Sequence, residues 1–280
     1  MGKKDVVKQK HTFLGIIEVR NSNVNGDSTA DNPPRQDPHT GYGRIGADCT
    51  RRKTRLTVQT MYPGTPMLVD AGAGDGAAPR LVDGAGEMSA IEYVYNKYWD
   101  ARTFGAGFAA CEKPIVGAVQ IGIGRSVSPV EVKQVSMTRK AIATDEQFSG
   151  DGSNTMFGNK RNVAYGVYVI TGEVSPRQAE KAGFTEEDLE MFFQGFIHMF
   201  DFDKAAGRSE VNVRRVIDFM HSDFCGNQRS QELYDAVRIE PVPEVRDGVR
   251  PPRRYNDYTI TIDTEKVNTD KITIRELRNL

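Results

Sequence analysis

The stretch from Thr185 to Phe200 limits the possible folds more than any other part of the chain. Thr185 is followed by Glu186, Glu187 and Asp188, an N-terminal helix signature, and then Leu189, Phe192, Phe193, Phe196, Ile197 and Phe200 recur at helical spacing. A stripe this rich in phenylalanine must be buried against another element, so it reads as core rather than as a ligand box. The segment 12–20 offers a partner. There Phe13, Gly15, Ile17 and Val19 alternate against Leu14, Ile16 and Glu18, the period of a strand with two distinct faces.

The remaining elements follow from local signals. After the first strand comes Asn21-Ser22-Asn23-Val24-Asn25-Gly26-Asp27 and a polar stretch with Pro33, Pro34, Pro38, Gly41 and Gly43, a loop by its turn residues. A helix is expected from Asp48, as N-cap, to about Tyr62, with Cys49 and Leu56 on its apolar side and Arg51, Arg52 and Arg55 elsewhere on its circumference. Residues 70–87, rich in Gly and Ala, read as a flexible segment. A helix over 89–99 and strands over 114–128 and 163–174 are expected. Between those strands, 128–162 reads as a protruding insertion with its tip at 149–154. The runs 237–243 and 255–263 flank Asp247-Gly248 and suggest a hairpin.

In order, these elements give a βαββαβ plan. That is the ferredoxin-like split motif also used by RNA-recognition domains, so the expected fold is α+β. No internal repeat is visible, and residues 1–280 read as one domain with insertions: a polar loop at 21–47, the flexible segment at 70–87 and the arm at 128–162.

Composition narrows the function. With 38% apolar and 27% charged residues, the chain can build a sizeable core. No apolar run approaches the roughly 20 residues that span a bilayer, and the polar, basic first eleven residues do not resemble a signal peptide. Three scattered cysteines, none in a CxxC pair, fit a reducing compartment. A cytoplasmic protein without membrane contact is expected. The net charge of −1 argues against a dedicated nucleic-acid binder, but Arg51-Arg52-Lys53-Thr54-Arg55 and the four arginines of 246–254 are strongly local.

Enzyme motifs are absent or incomplete. Gly117 and Gly122 have P-loop separation without the Lys and Ser or Thr that must follow, no GxSxG elbow occurs, and His11, His39, His198 and His221 are isolated. Asp27, Asp31 and Asp37 could hold a cation or could simply solvate a loop. No catalytic residue, metal or cofactor is therefore expected. What remains is polar and cationic. Asn21, Asn23 and Asn25 suit hydrogen bonds to phosphate or sugar, and equally suit Asx turns. The arginine helix could be a binding face or a wet one. Arg125, Arg139, Lys140, Lys160 and Arg161 flank the insertion, and Arg35 and Arg44 lie in the first loop, so one surface of the sheet could carry a band of cations.

Several blocks carry a family resemblance. They include 19–27, Ala30-Asp31-Asn32, 34–38, Thr40-Gly41-Tyr42-Gly43, Asp48-Cys49 with Arg52-Lys53, 100–106, Val119-Gln120 with 124–127, 135–139, 163–169, 179–184, and Met199-Phe200 with Ala205-Ala206-Gly207-Arg208. In this order they resemble the repeated backbone subunit of type I-C Cascade, in the RAMP superfamily of CRISPR-associated proteins. The likeness runs from about Phe13 to Asp263 and is weakest at 70–87. It implies an RNA-recognition-like palm with inserted finger and thumb elements. The subunit would bind the backbone of a CRISPR guide RNA and polymerise head to tail along it. It would join other Cascade subunits and present the spacer to target DNA. By resemblance, RNA contacts fall at Asn25, Arg35, Arg51, Arg52 and Arg55. The insertion 128–162 becomes the thumb, with Phe148, Met156 and Phe157 wedging against a displaced base. Type III relatives cleave RNA with a palm aspartate. The resemblance to type I implies no cleavage, with a metal-dependent RAMP ribonuclease using Asp27 with Asp31 or Asp48 as the rival.

Overall fold

The computed structural model describes residues 5–69, 89–107, 114–139 and 156–279. Strand β1 (His11–Ser22) lies at the centre of the main sheet. Its neighbours are β8 (Met156–Val174) on one side and β9 (Val211–His221) on the other, both antiparallel. The path through the sheet is β12 (Ile272–Asn279), β9, β1, β8, β6 (Gly124–Pro129) and β2 (Tyr42–Ile45). Two more strands, β5 (Val119–Ile121) and β7 (Val132–Arg139), also pair with β8. The short strands β3 (Gly105–Ala106) and β4 (Ile115–Val116) form a separate ribbon, as do β10 (Val237–Pro241) and β11 (Tyr258–Ile262).

The helices are α1 (Ala47–Met61), α2 (Ala90–Lys97), α3 (Trp99–Phe104), α4 (Pro176–Ala182), α5 (Glu186–Ile197), α6 (Ser230–Asp235) and α7 (Pro243–Arg246). The α5 stripe packs on the sheet as its spacing predicts. Phe13 of β1 meets Phe192, Phe193 and Phe196 edge to face, with centroids 5.4, 5.7 and 5.6 Å away. Each such pair adds about 0.5–1.5 kcal/mol beyond the area it buries. Two glycines set the approach. A Cβ on Gly15 would lie 2.6 Å from Phe196, and one on Gly195 would lie 2.5 Å from Val58 of α1. Thr185 caps α5 with a reciprocal box, its hydroxyl accepting from the Asp188 N–H while the Asp188 carboxylate accepts from the Thr185 N–H.

The opposite face of the sheet is covered as well. Leu14, Ile16, Tyr165, Val167, Ile217 and Phe219 pack beneath Leu233 and Ala236 of the α6 segment and Tyr258 of β11. No described helix is long and apolar enough to cross a membrane.

Several local expectations are corrected. The helix expected over 89–99 is two helices, because Tyr98 is extended and the Trp99 N–H turns to the Pro66 carbonyl at 3.0 Å. The strand expected over 114–128 is three short ones, separated at residues 117–118 and 122–123. Helix α1 starts two residues early, with Gly46 rather than Asp48 at the N-cap. Its buried side is Thr50, Lys53, Thr54, Arg55, Thr57 and Val58, not the Cys49–Leu56 line. The flexible segment expected at 70–87 and the tip at 149–154 lie outside the described residues. The flanks of that insertion form an antiparallel ladder, running from Val132 opposite Val163 to Arg139 opposite Met156.

A polar staple closes the sheet end where β1, β9 and α6 meet. The His221 Nδ1 accepts from the Asn227 N–H at 2.9 Å, and its Nε2 lies 3.2 Å from the Thr12 hydroxyl, so the ring is held neutral. Burial, with the nearby charges of Lys10 and His11, pushes the His221 imidazole down to about 4. The unfolded chain, titrating near 6.5, therefore takes up this proton first as pH falls. Stability should drop progressively from about pH 6.5 to about pH 4, by up to about 3 kcal/mol from this group. Chemical denaturation across that range should show the drop, and His221→Gln should flatten it.

Candidate nucleic-acid interface

Near the end of β1, Asn21 takes a left-handed φ of 45°, while Ser22 beyond it still pairs with Val163 of β8. Asparagine tolerates this left-handed geometry better than most residues. The Asn21 amide donates to Glu210 at 3.3 Å, and its carbonyl accepts from the Asn162 amide of β8 at 3.0 Å. The Asn23 N–H donates to the Gly207 carbonyl at 2.7 Å, and its side-chain amide donates to the Asn32 carbonyl at 2.8 Å. The Asn25 Oδ1 accepts from the Gly46 N–H at 2.7 Å, where α1 begins. The asparagines thus brace the loop against the helix, the strand end and the segment before β9. The Asn23 Oδ1 is buried without a hydrogen-bond partner among the described residues.

This bracing encloses a cleft of about 430 Å³. Asn23, Asn25, Gly26, Asp31 and Asn32 supply one wall and Cys49, Arg52 and Lys53 of α1 a second. Lys160, Arg161 and Asn162 of β8 and the Ala205-Ala206-Gly207-Arg208 turn close it. Five cations from three separate parts of the chain converge here. Lys160 and Arg161 are exposed at the base of the β7–β8 ladder and have no side-chain partner among the described residues. Lys53 is nearly buried, sits 5.6 Å from the Phe200 ring centroid and pairs with Asp203, which also accepts from Arg208 at 3.0 Å. Burial would raise the Asp203 carboxyl, but the hydrogen bonds and charges of Lys53 and Arg208 outweigh it and hold it below the usual carboxylate value. Asp203 therefore balances part of the cleft's charge and leaves an excess of cation. Such a cleft suits the oxygens of a phosphodiester backbone.

Of the residues singled out from sequence, the cleft gathers Asn23, Asn25, Arg52, Lys160 and Arg161. Asn21 lies just beyond its rim. Arg35 donates to the Gly26 carbonyl at 3.3 Å and lies 3.6 Å from Asp27, and Arg51 donates to Asp48 at 3.3 Å; neither lines the cleft. Arg125 is exposed on β6 beside the β2 edge, and Arg139 stands at the far end of β7. Phe148 lies outside the described residues, while Met156 and Phe157 begin the β8 backbone. The Asp27 carboxyl is held low by hydrogen bonds from Thr29.

Arg55 departs from its expected place on the RNA-facing side. It is buried, donates to Asp100 at 2.9 Å and lies 5.1 Å from the Phe104 ring centroid. Sequence reading missed Asp203 and Arg208 as charge partners. The Ala205–Arg208 block was visible only as a stretch of resemblance, because nothing local ties it to α1.

An antiparallel sheet covered on both faces, with a cleft rich in cations at its end, defines a protein that mixes helices with an antiparallel sheet. Residues 9–263 match the family model described as CRISPR-associated protein Cas7, and the chain belongs to that family. Its structure is similar to a chain of a "CRISPR RNA-guided surveillance complex, pre-nicking", with a TM-score of 0.52 and 14% identity over 75% of this chain and 78% of that one. The likeness shows a shared fold. A chain of a "CRISPR RNA-guided surveillance complex" aligns at a TM-score of 0.46 and 14% identity, covering 75% and 68% of the two chains. One from the type III-B Cmr-beta complex bound to cognate target RNA aligns at 0.42 and 11%, covering 74% and 60%. No curated protein sequence matches the chain.

The burial of Arg55 separates its role from that of Arg52. Removing Arg55 would leave Asp100, 1% exposed, with only the Leu68 and Val69 N–H groups as donors among the described residues. Arg55→Ala should cost about 3–5 kcal/mol of stability, the penalty of breaking a buried pair. It should not change the salt dependence of polyanion binding, whereas Arg52→Ala should do the reverse. Urea unfolding and heparin binding at several salt concentrations check both.

Proposed function

We propose that this chain is a guide-RNA-coating backbone subunit of a CRISPR surveillance complex. The observation that carries the reading is the convergence of Arg52, Lys53, Lys160, Arg161 and Arg208 on one cleft in a Cas7-family chain. Coating a guide of any sequence calls for contacts to phosphates and 2′-hydroxyls rather than to base edges, and long cations beside braced amides provide such contacts.

The strand order β9–β1–β8–β6, antiparallel throughout, supports the ferredoxin-like, RNA-recognition-like palm within the larger sheet. In this reading the β7–β8 ladder carries the thumb, and copies assemble head to tail, an arrangement that does not close. The spacer is then displayed to target DNA. The subunit is of the type I-C kind, works in the cytoplasm with other Cascade subunits and does not cleave its RNA. Asp27, hydrogen-bonded to Thr29, and Asp48, 97% exposed and beside Arg51, have roles other than catalysis here.

Fluorescence anisotropy with guide-length RNAs of unrelated sequence tests the reading. Lys160→Ala/Arg161→Ala should weaken all of them about equally. Each lost phosphate contact should make the log-log salt slope shallower by about 0.7, the single-strand value. RNA incubated with the protein and magnesium should stay intact. Sequence-selective loss would overturn the backbone reading. Cleavage abolished by Asp27→Ala or Asp48→Ala would favour a ribonuclease.

A further inference from the structure

The arginine-rich run 246–254 is the charged feature that the first cleft leaves unexplained. It forms the connection between β10 and β11, and it is folded around one carboxylate. Asp257, 1% exposed, accepts from both terminal nitrogens of Arg250 at 2.9 and 2.8 Å, from the N–H groups of Arg253 and Arg254, and from the Arg254 Nε at 3.3 Å. These hydrogen bonds, led by Arg250, hold the Asp257 carboxyl well below the usual carboxylate range. Arg250 is therefore a strut, and the loop is stiffened further by Pro251-Pro252. Arg253 is left exposed, with no side-chain partner among the described residues.

Arg253, Pro251 and Pro252 form one wall of a second cleft, of about 400 Å³. Arg20 of β1, Lys133 of β7 and Tyr165 of β8 are on the facing wall. Three cations from three elements thus line it: Lys133 lies 3.7 Å from the Glu131 carboxylate in an exposed pair, Arg20 donates from its Nε to Glu210 at 3.0 Å, and Arg253 is the one of the three without a side-chain partner among the described residues. The position matters as much as the charge. Lys133 stands directly opposite Asn162 in the β7–β8 ladder. Asn162 lines the first cleft and hydrogen-bonds to Asn21, which lines the second. The two clefts are therefore linked by a polar strip around the end of β1.

We propose that this second cleft seats a phosphodiester backbone, clamped between the 246–254 loop and the sheet, beside the strand held in the first cleft. The proposal rests on the RNA-binding reading above and extends it to a site on the opposite side of the β1 end. The backbone could be the continuation of the same strand or the strand paired with it. Both present the same chemistry to Arg20, Lys133 and Arg253.

The test uses the full-length Lys133→Ala/Arg253→Ala protein, with Arg253→Glu as a charge-reversed second variant. Both side chains are exposed, so thermal unfolding should match the parent. The probes are a labelled guide-length single-stranded RNA and the same RNA annealed to complementary DNA, each titrated over a range of salt. Loss of two contacts should make the slope shallower by about 1.4 on the single strand or about 1.8 on a duplex. A change already present with RNA alone assigns the cleft to the same strand; a change only with the hybrid assigns it to the paired strand. Unchanged slopes with both probes, while Lys160→Ala/Arg161→Ala still makes the slope shallower, would overturn the second cleft and leave the proposed function standing. If neither pair of substitutions alters RNA binding, the RNA-binding reading itself falls.

Discussion

The packing of Phe13 into the Phe192, Phe193 and Phe196 rings is the contact on which the rest of the structure depends. It locks the central strand β1 to helix α5, and α5 in turn packs against α1 through the space left by Gly195. The position of β1 sets the position of β8 and β9, because both pair with it along most of its length. The far end of β1 is then a fixed point, and the asparagine-rich loop hangs from it. Rigidity of this kind is what a loop-borne site needs, since loops carry function when a packed scaffold holds them.

The interface is assembled from groups distant in sequence that share no local signal. Lys53, Lys160 and Arg208 approach one another only because α1, β8 and the segment before β9 all end at the same corner of the sheet. The Asn25 side chain ties the loop to the start of α1, and the Asn23 N–H ties it to the Gly207 turn. A net charge of −1 is compatible with this site because the charge is partitioned. Buried or half-buried carboxylates such as Asp100, Asp203 and Asp257 each neutralise specific cations, while Arg161 and Lys160 have no such partner among the described residues. Local excess, not the total, sets the field felt by a polyanion.

Arginine shows why a charge cluster in sequence is ambiguous. Of the adjacent cations on α1, Arg52 lines the cleft, Arg51 reaches Asp48, Lys53 pairs with Asp203 and Arg55 is buried against Asp100. Successive helix positions are rotated by about 100°, so four charges in one turn and a half face four environments. The cluster at 246–254 divides in the same way, with Arg250 holding the loop to Asp257 and Arg253 left on the surface.

The sequence alone was enough for the parts of the fold that depend on local periodicity. The α5 stripe, its Thr185 cap, the two faces of β1 and the 237–263 hairpin are all visible there, because each is decided by neighbours within a few residues. Family resemblance added the order of the blocks, which the match over residues 9–263 supports. Only tertiary structure decided the breaks at Tyr98 and at residues 117–118 and 122–123, where hydrogen bonds to distant backbone compete with local continuity. It also decided which asparagines act as braces and which cations find carboxylates. Those outcomes depend on what the fold brings within about 3 Å of each polar atom, the reach of a hydrogen bond, and no spacing along the chain encodes that distance.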